Sequence, residues 1–167
     1  AAYKRGARSQ GVGAEIAIVR AAHVARDITA GPFTRGDAAA TLSAPDGTFK
    51  AADLTGTQIE ELLTAGATAS DSTQFAFAAG ARFSFNAITP PEASGFQVLA
   101  DGSDREWTAL EPAKTYTVVL AGSESQSGTP VGGTMRDVFF EYAMSVGTLL
   151  RPPPWSRSIR ELTTTAD

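Results

Sequence analysis

The stretch from Gly13 to Asp37, GAEIAIVRAAHVARDITAGPFTRGD, constrains the fold more than any other part of the chain. Ile16, Ala17, Ile18 and Val19 form a short unbroken apolar run, the pattern of a strand covered on both faces inside a sheet. The run stops at three cationic or titratable side chains, Arg20, His23 and Arg26. The space beyond the carboxyl end of such a strand is where α/β sheets commonly present function. Gly31-Pro32-Phe33-Thr34 then reads as a turn, with Thr34 as a helix N-cap and Asp37 adding an acidic residue to the first turn. Strand, loop and helix start follow without interruption, so the rest of the chain must build a sheet around the first and a helical layer over the last.

The remaining segments alternate in type. Residues 1–12 read as the last turns of a helix whose beginning is missing, with Ala2, Tyr3 and Ala7 on one face and Gly11 as the stop; residues 13–167 are then the folded domain. Helices are predicted over Arg35 to Leu42, from the Thr55 cap to Gly66, and over Thr134 to Gly147. Strands are predicted over Gly13 to Val19, Thr48 to Leu54, from Phe75 through Phe77, and over Ala81 to Asn86, Gly95 to Asp101, Glu106 to Thr108 and Thr115 to Ala121. Asp101-Gly102 marks a hairpin turn. Gly122 to Gly133 reads as a long polar loop carrying Glu124. Pro152 to Pro154 reads as a stiff connector, and Ser156 to Leu162 as a last strand at a sheet edge. The fold class is therefore α+β, a single mixed-sheet domain with about three helices.

Composition removes several function classes. A chain of 167 residues is one domain, long enough to bury roughly two thirds of its unfolded surface. With 14 basic and 18 acidic residues and no basic stripe, nucleic acid is not the expected partner. No apolar run approaches the ~20 residues of a membrane span, and the opening AAYKRGARSQ lacks the apolar core of a signal peptide. There is no cysteine, and a single histidine cannot found a metal cluster.

The order of segments resembles the C-terminal domain of the 5'-nucleotidase family, secreted metallophosphatases acting on nucleotides and cyclic nucleotides. The residues that carry the resemblance are Ala14 to Val19, Ala30 to Asp37, Leu54-Thr55-Gly56 with Ile59, Leu62 and Leu63, Leu110 to Tyr116, Met135-Arg136-Asp137 with Glu141-Tyr142, and Arg157 to Leu162. The resemblance spans nearly the whole chain. It implies a substrate-recognition domain, a metal-bearing N-terminal metallophosphoesterase domain as its partner, residues 1–12 as the end of a linker helix from that missing N-terminal domain, and a periplasmic, cell-envelope or extracellular location. Divalent metals belong to that partner domain, and no cofactor is expected in this chain.

Three departures from the family pattern bear on function. After the strand the family has an Asn, a Gly-Gly pair and an Arg lining the pocket; here those positions read Arg20, Ala22-His23 and Ala25. Glycine lets backbone approach a ligand closely, and Arg meets anionic oxygens bidentately. The family's Pro-Phe-Gly-Asn turn, whose Phe stacks on the base, corresponds to Ser43-Ala44-Pro45-Asp46, which has no ring. Its Phe loop ending in Gly-Gly-Asp-Gly-Tyr corresponds to Ala121 to Pro130, without Phe, Tyr or Asp.

Candidate ligand-binding residues are Arg20, His23, Arg26 and Glu124. The first three can form an anion site, or be loop cations paired with Glu15, Asp27 or Asp37; the pairing reading is the stronger, since the close-approach glycines are absent. Glu124 reads as a ligand contact or a general base or, more simply, as a solvated carboxylate among serines. Asp101, Asp104 and Glu106 lack calcium-loop spacing and fit a hairpin tip. No catalytic or metal-binding residue is assigned. The expected function is that of a 5'-nucleotidase-like C-terminal domain with a degenerate nucleotide pocket, its ligand a nucleotide or other anion. The alternative is a non-catalytic binding or structural module of a bacterial envelope assembly, and a third reading is a small enzyme using His23 and Glu124.

Overall fold

In the computed structural model, β1 (Ile16–Arg20) lies inside a five-stranded sheet, and the described residues are 1–86, 91–100, 103, 105–121, 128–150 and, as backbone only, 159–161. The other strands of this sheet are β2 (Phe49–Thr55), β3 (Ala76–Ala79), β7 (Thr115–Ala121) and β8 (Thr129–Val131), in the order β3-β1-β7-β2-β8. β1 runs parallel to β7 and antiparallel to β3, while β2 is antiparallel to both its neighbours. A second sheet holds β4 (Ala81–Asn86), β5 (Glu92–Leu99), β6 (Trp107–Ala109) and β9 (Ile159–Glu161), in the order β6-β5-β4-β9. The α+β class holds, with mixed pairing in both sheets.

The apolar run in β1 has its explanation in two cores. Ile16 and Ile18 face a core shared with α3 (Gly56–Thr68) and the second sheet, through Ile59, Leu63, Phe83 and Val98. Ala17 and Val19 face the other core, with Tyr3 and Ala7 of α1 (Ala2–Ser9) and Met135 and Val138 of α4 (Met135–Val146). β7 alternates in the same way, Tyr116, Val118 and Leu120 to one side and Val119 and Ala121 to the other. A strand buried on both faces has no polar alternation to show.

The helix starts follow their capping residues. Thr34 and Thr55 each accept from the backbone N–H three residues on, and Asp37 and Gln58 reach back to complete capping boxes for α2 (Arg35–Thr41) and α3. Thr134 caps α4 by accepting from Asp137 N–H, and Gly147, at φ 72°, ends it.

Several boundaries differ from the sequence expectation. Gly66 lies inside α3 rather than ending it: a Cβ there would sit 2.9 Å from the Gln74 carbonyl and 3.0 Å from the Ala76 nitrogen, so glycine lets the helix close against β3. Part of the segment expected as a loop from Gly122 to Gly133 is strand, since Thr129–Val131 pairs with Phe49–Ala51. β1 begins at Ile16, three residues after Gly13, and β5 already begins at Glu92. The expected hairpin is borne out by the antiparallel ladder Leu99↔Trp107, and its tip residues Asp101 and Asp104 lie outside the described residues. The last strand is at a sheet edge, parallel to β4. The Pro152 to Pro154 connector lies outside the described residues.

Candidate functional site

Parallel pairing of β1 with β7 brings their carboxyl ends to one edge of the first sheet, with Ile18 opposite Leu120. The chain leaves there at Arg20 and at Ala121, so the RAAHVAR segment and the loop carrying Glu124 start from the same end. Glu124 itself lies outside the described residues.

After Arg20 the chain makes a 3-10 turn, Ala21–His23. The following segment is fastened to the end of α2. Ala25 N–H donates to the Thr41 carbonyl at 2.8 Å, Ser43 N–H to the His23 carbonyl at 3.1 Å, and Ser43 Oγ to the Ala22 carbonyl at 2.6 Å. Val24 and Leu42 form an isolated antiparallel bridge. Backbone that closes a ladder with its neighbour is committed before any ligand arrives.

The three cationic positions have different surroundings. Arg20 Nη1 donates to Oε1 of Gln74, in a second 3-10 turn, Ser72–Gln74, that packs against the first. Ala21 N–H donates to the Phe75 carbonyl at 2.8 Å and locks the two turns together. Arg26 is exposed, with Nη2 3.6 Å from Asp37 Oδ1, one of the pairings the sequence allowed. His23 is half-buried and takes part through its carbonyl. Arg20 is thus drawn toward β3 and Arg26 toward α2.

A second charged group links the starts of α2 and α4. Arg35 donates to Asp137 Oδ1 from Nη2 at 2.5 Å and from Nε at 3.0 Å. Arg136 meets Asp46 at 2.9 Å and Asp137 at 3.2 Å. Hydrogen bonds from Arg35, then from Thr134 and Arg136, hold the Asp137 carboxyl down to about 2, while Asp37 is lowered chiefly by its hydrogen bonds with Thr34.

The Ser43 to Asp46 segment and Gly47 after it hold the start of α4. Met135 N–H donates to the Gly47 carbonyl at 2.8 Å and Arg136 N–H to the Pro45 carbonyl at 2.9 Å, which satisfies donors at the helix start. The sequence reading missed Gln74, and nothing near it marks it: its partner Arg20 is 54 residues away. Among the described residues no group of three or more His, Asp or Glu side chains could hold a metal ion, and no helix is long and apolar enough to cross a membrane.

This frame and this sequence have known counterparts. The family model described as 5'-nucleotidase, C-terminal domain, matches residues 2–129, and the chain belongs to that family. No curated protein matches it. Among solved structures it is similar to a 5'-nucleotidase precursor from Thermus thermophilus, with TM-score 0.78 and 20% identity over 97% of this chain and 34% of that one. It is also similar to the sulfate thiohydrolase SoxB from Thermus thermophilus, crystallised with glycerol, at TM-score 0.69 and 18% identity over 98% and 32%. A third is the NAD nucleotidase of Haemophilus influenzae, at TM-score 0.65 and 18% identity over 99% and 32%. At these identities the likeness establishes the fold. The chain spans about a third of the length of these structures.

Proposed function

We propose that this chain is the substrate-recognition domain of a 5'-nucleotidase-like metallophosphoesterase whose nucleotide pocket is altered, with catalytic metals supplied by an N-terminal domain of the intact polypeptide. The observation that carries the reading is the fate of the segments aligned with the family pocket. Where close backbone approach requires glycine, Ala22 and His23 stand, and their carbonyls accept from Ser43. Where a Phe would stack on the base, the Ser43 to Asp46 turn carries no ring and braces α4. Without that ring, base binding forgoes roughly 1–3 kcal/mol per stacked face. Secretion to a bacterial periplasm or cell envelope is part of the same reading.

The second reading, a non-catalytic binding or structural module of an envelope assembly, gains from the same alterations. The coding sequence upstream of Ala1 separates them. A full set of Asp, His and Asn metal ligands there, together with metal-dependent phosphoester hydrolysis by the intact protein, is the outcome expected for the first. Absent or degenerate ligands and no hydrolysis with added divalent metal leave the binding module.

A further inference from the structure

We propose that Asp46-Gly47 is an isoaspartate-forming modification site, closed in the folded chain by Arg136 and by the turn that Gly47 completes, and opened when the start of α4 comes away.

Ala44-Pro45-Asp46-Gly47 is a four-residue turn: Gly47 N–H donates to the Ala44 carbonyl at 3.0 Å, and Pro45 stands where its fixed φ suits such a turn. The last position admits only glycine. A Cβ there would sit 2.9 Å from the Ala44 carbonyl oxygen and 3.4 Å from Met135 Sδ, so the turn could not close against α4. That requirement has a chemical consequence for the residue before it. With no side chain on Gly47, its amide nitrogen meets little hindrance in reaching the Asp46 carboxyl carbon.

The reaction needs only water. The Gly47 nitrogen, losing its proton, bonds to Asp46 Cγ; one carboxyl oxygen leaves as water, and a five-membered succinimide closes. Water then adds back to open the ring. Opening at the Asp46 main-chain carbonyl leaves Gly47 joined through Cγ, an isoaspartyl link with a free α-carboxylate, whereas opening at Cγ restores aspartate. Mass is unchanged, and in the isoaspartyl form the backbone gains one carbon between Asp46 Cα and Gly47.

Both reacting groups are engaged in the fold. The Gly47 N–H is committed to the turn, and Asp46 Oδ1 lies 2.9 Å from Arg136 Nη1, which draws the carboxyl toward α4. Arg136 is held there in its turn, with Nε 3.2 Å from Asp137 Oδ1, the atom that Arg35 also meets. The Asp46 side chain is 73% exposed, so these contacts, and not burial, restrain ring closure. Turn and helix also share main-chain bonds, from Met135 N–H to the Gly47 carbonyl and from Arg136 N–H to the Pro45 carbonyl. Loosening the first turn of α4 therefore frees nitrogen and carboxyl together. The product, with its added carbon, displaces the Gly47 carbonyl that Met135 needs, and a transient opening becomes a lasting one.

The test ages the whole 167-residue chain at neutral pH and body temperature, folded or unfolded in guanidinium chloride, before digestion with trypsin. Isoaspartate is located by fragmentation in peptide 36–50, which separates Asp46-Gly47 from Asp101-Gly102, and is counted over time. The unfolded chain is expected to form it at residue 46, and the folded parent at least about tenfold more slowly. Arg136→Gln removes the cation and is expected to raise the folded rate about threefold, the scale of one exposed ion pair. Arg136→Lys keeps a cation against Asp46 and is expected to stay near the parent rate. The inference is overturned if the unfolded chain forms no isoaspartate at residue 46, or if the folded parent reacts as fast as the unfolded chain. It is equally overturned if Arg136→Gln reacts no faster than the parent or no faster than Arg136→Lys. The comparison of folded with unfolded parent stands whether or not either variant folds.

Discussion

Thr134 and Asp137 show how much one residue pair at a helix start can carry. Thr134 caps α4, and the Asp137 carboxylate receives Arg35 from the start of α2, so one side chain serves the first turn of its own helix and ties it to another. The folded-state pKa of Asp137, about 2, lies below its ordinary value of 3.8. A depressed carboxylate stabilises the fold above the unfolded-state value, and that contribution is lost as pH falls through the folded one. Asp137→Asn is therefore expected to lower the melting temperature at pH 7. The gap to the parent chain should narrow between about pH 4 and pH 2. Thermal unfolding followed by circular dichroism across that range measures it, and a gap that stays constant with pH would show that the charge of Asp137 is not what matters.

At the level of elements, the close approach of α1 to α4 depends on one missing atom. A Cβ built on Gly6 would lie 2.4 Å from Val138 Cγ1, so Gly6→Ala forces a clash in a buried contact between helices. The expected cost is about 1–3 kcal/mol in urea unfolding. Val138→Ala in that background should recover part of it, a positive coupling that a purely local loss of helix geometry would not give. The sequence showed where these helices start, because Thr34, Thr55 and Thr134 cap them by local hydrogen bonds, and it showed β1 and β7 through their apolar runs. It did not show that β3 turns at Gly80 into a second sheet. There φ is 91°, and a Cβ would meet the Glu15 carbonyl at 2.3 Å. Nor did it show that Gly66 admits β3 against α3. Both depend on which distant backbone arrives, which periodicity does not encode. The site was legible in the same uneven way: Arg26 and Asp37 are near in sequence and their pairing could be foreseen, whereas the Arg20–Gln74 contact joins turns that only the β1–β3 ladder brings together.

For the whole molecule, sheet one stands between two cores, with α1, α2 and α4 on one side and α3 and the second sheet on the other. Such a frame tolerates change at its loop end, since neither core depends on the residues that follow β1. That separation lets a chain belong to the 5'-nucleotidase C-terminal domain family while its RAAHVAR segment and Ser43 to Asp46 turn serve α2 and α4. The central claim, an intact family frame with an altered nucleotide pocket, meets its most direct test in calorimetric titration of this chain with AMP. The expected result is no saturable heat in the micromolar range. A one-to-one isotherm with a micromolar Kd would contradict it and restore the pocket as a nucleotide site.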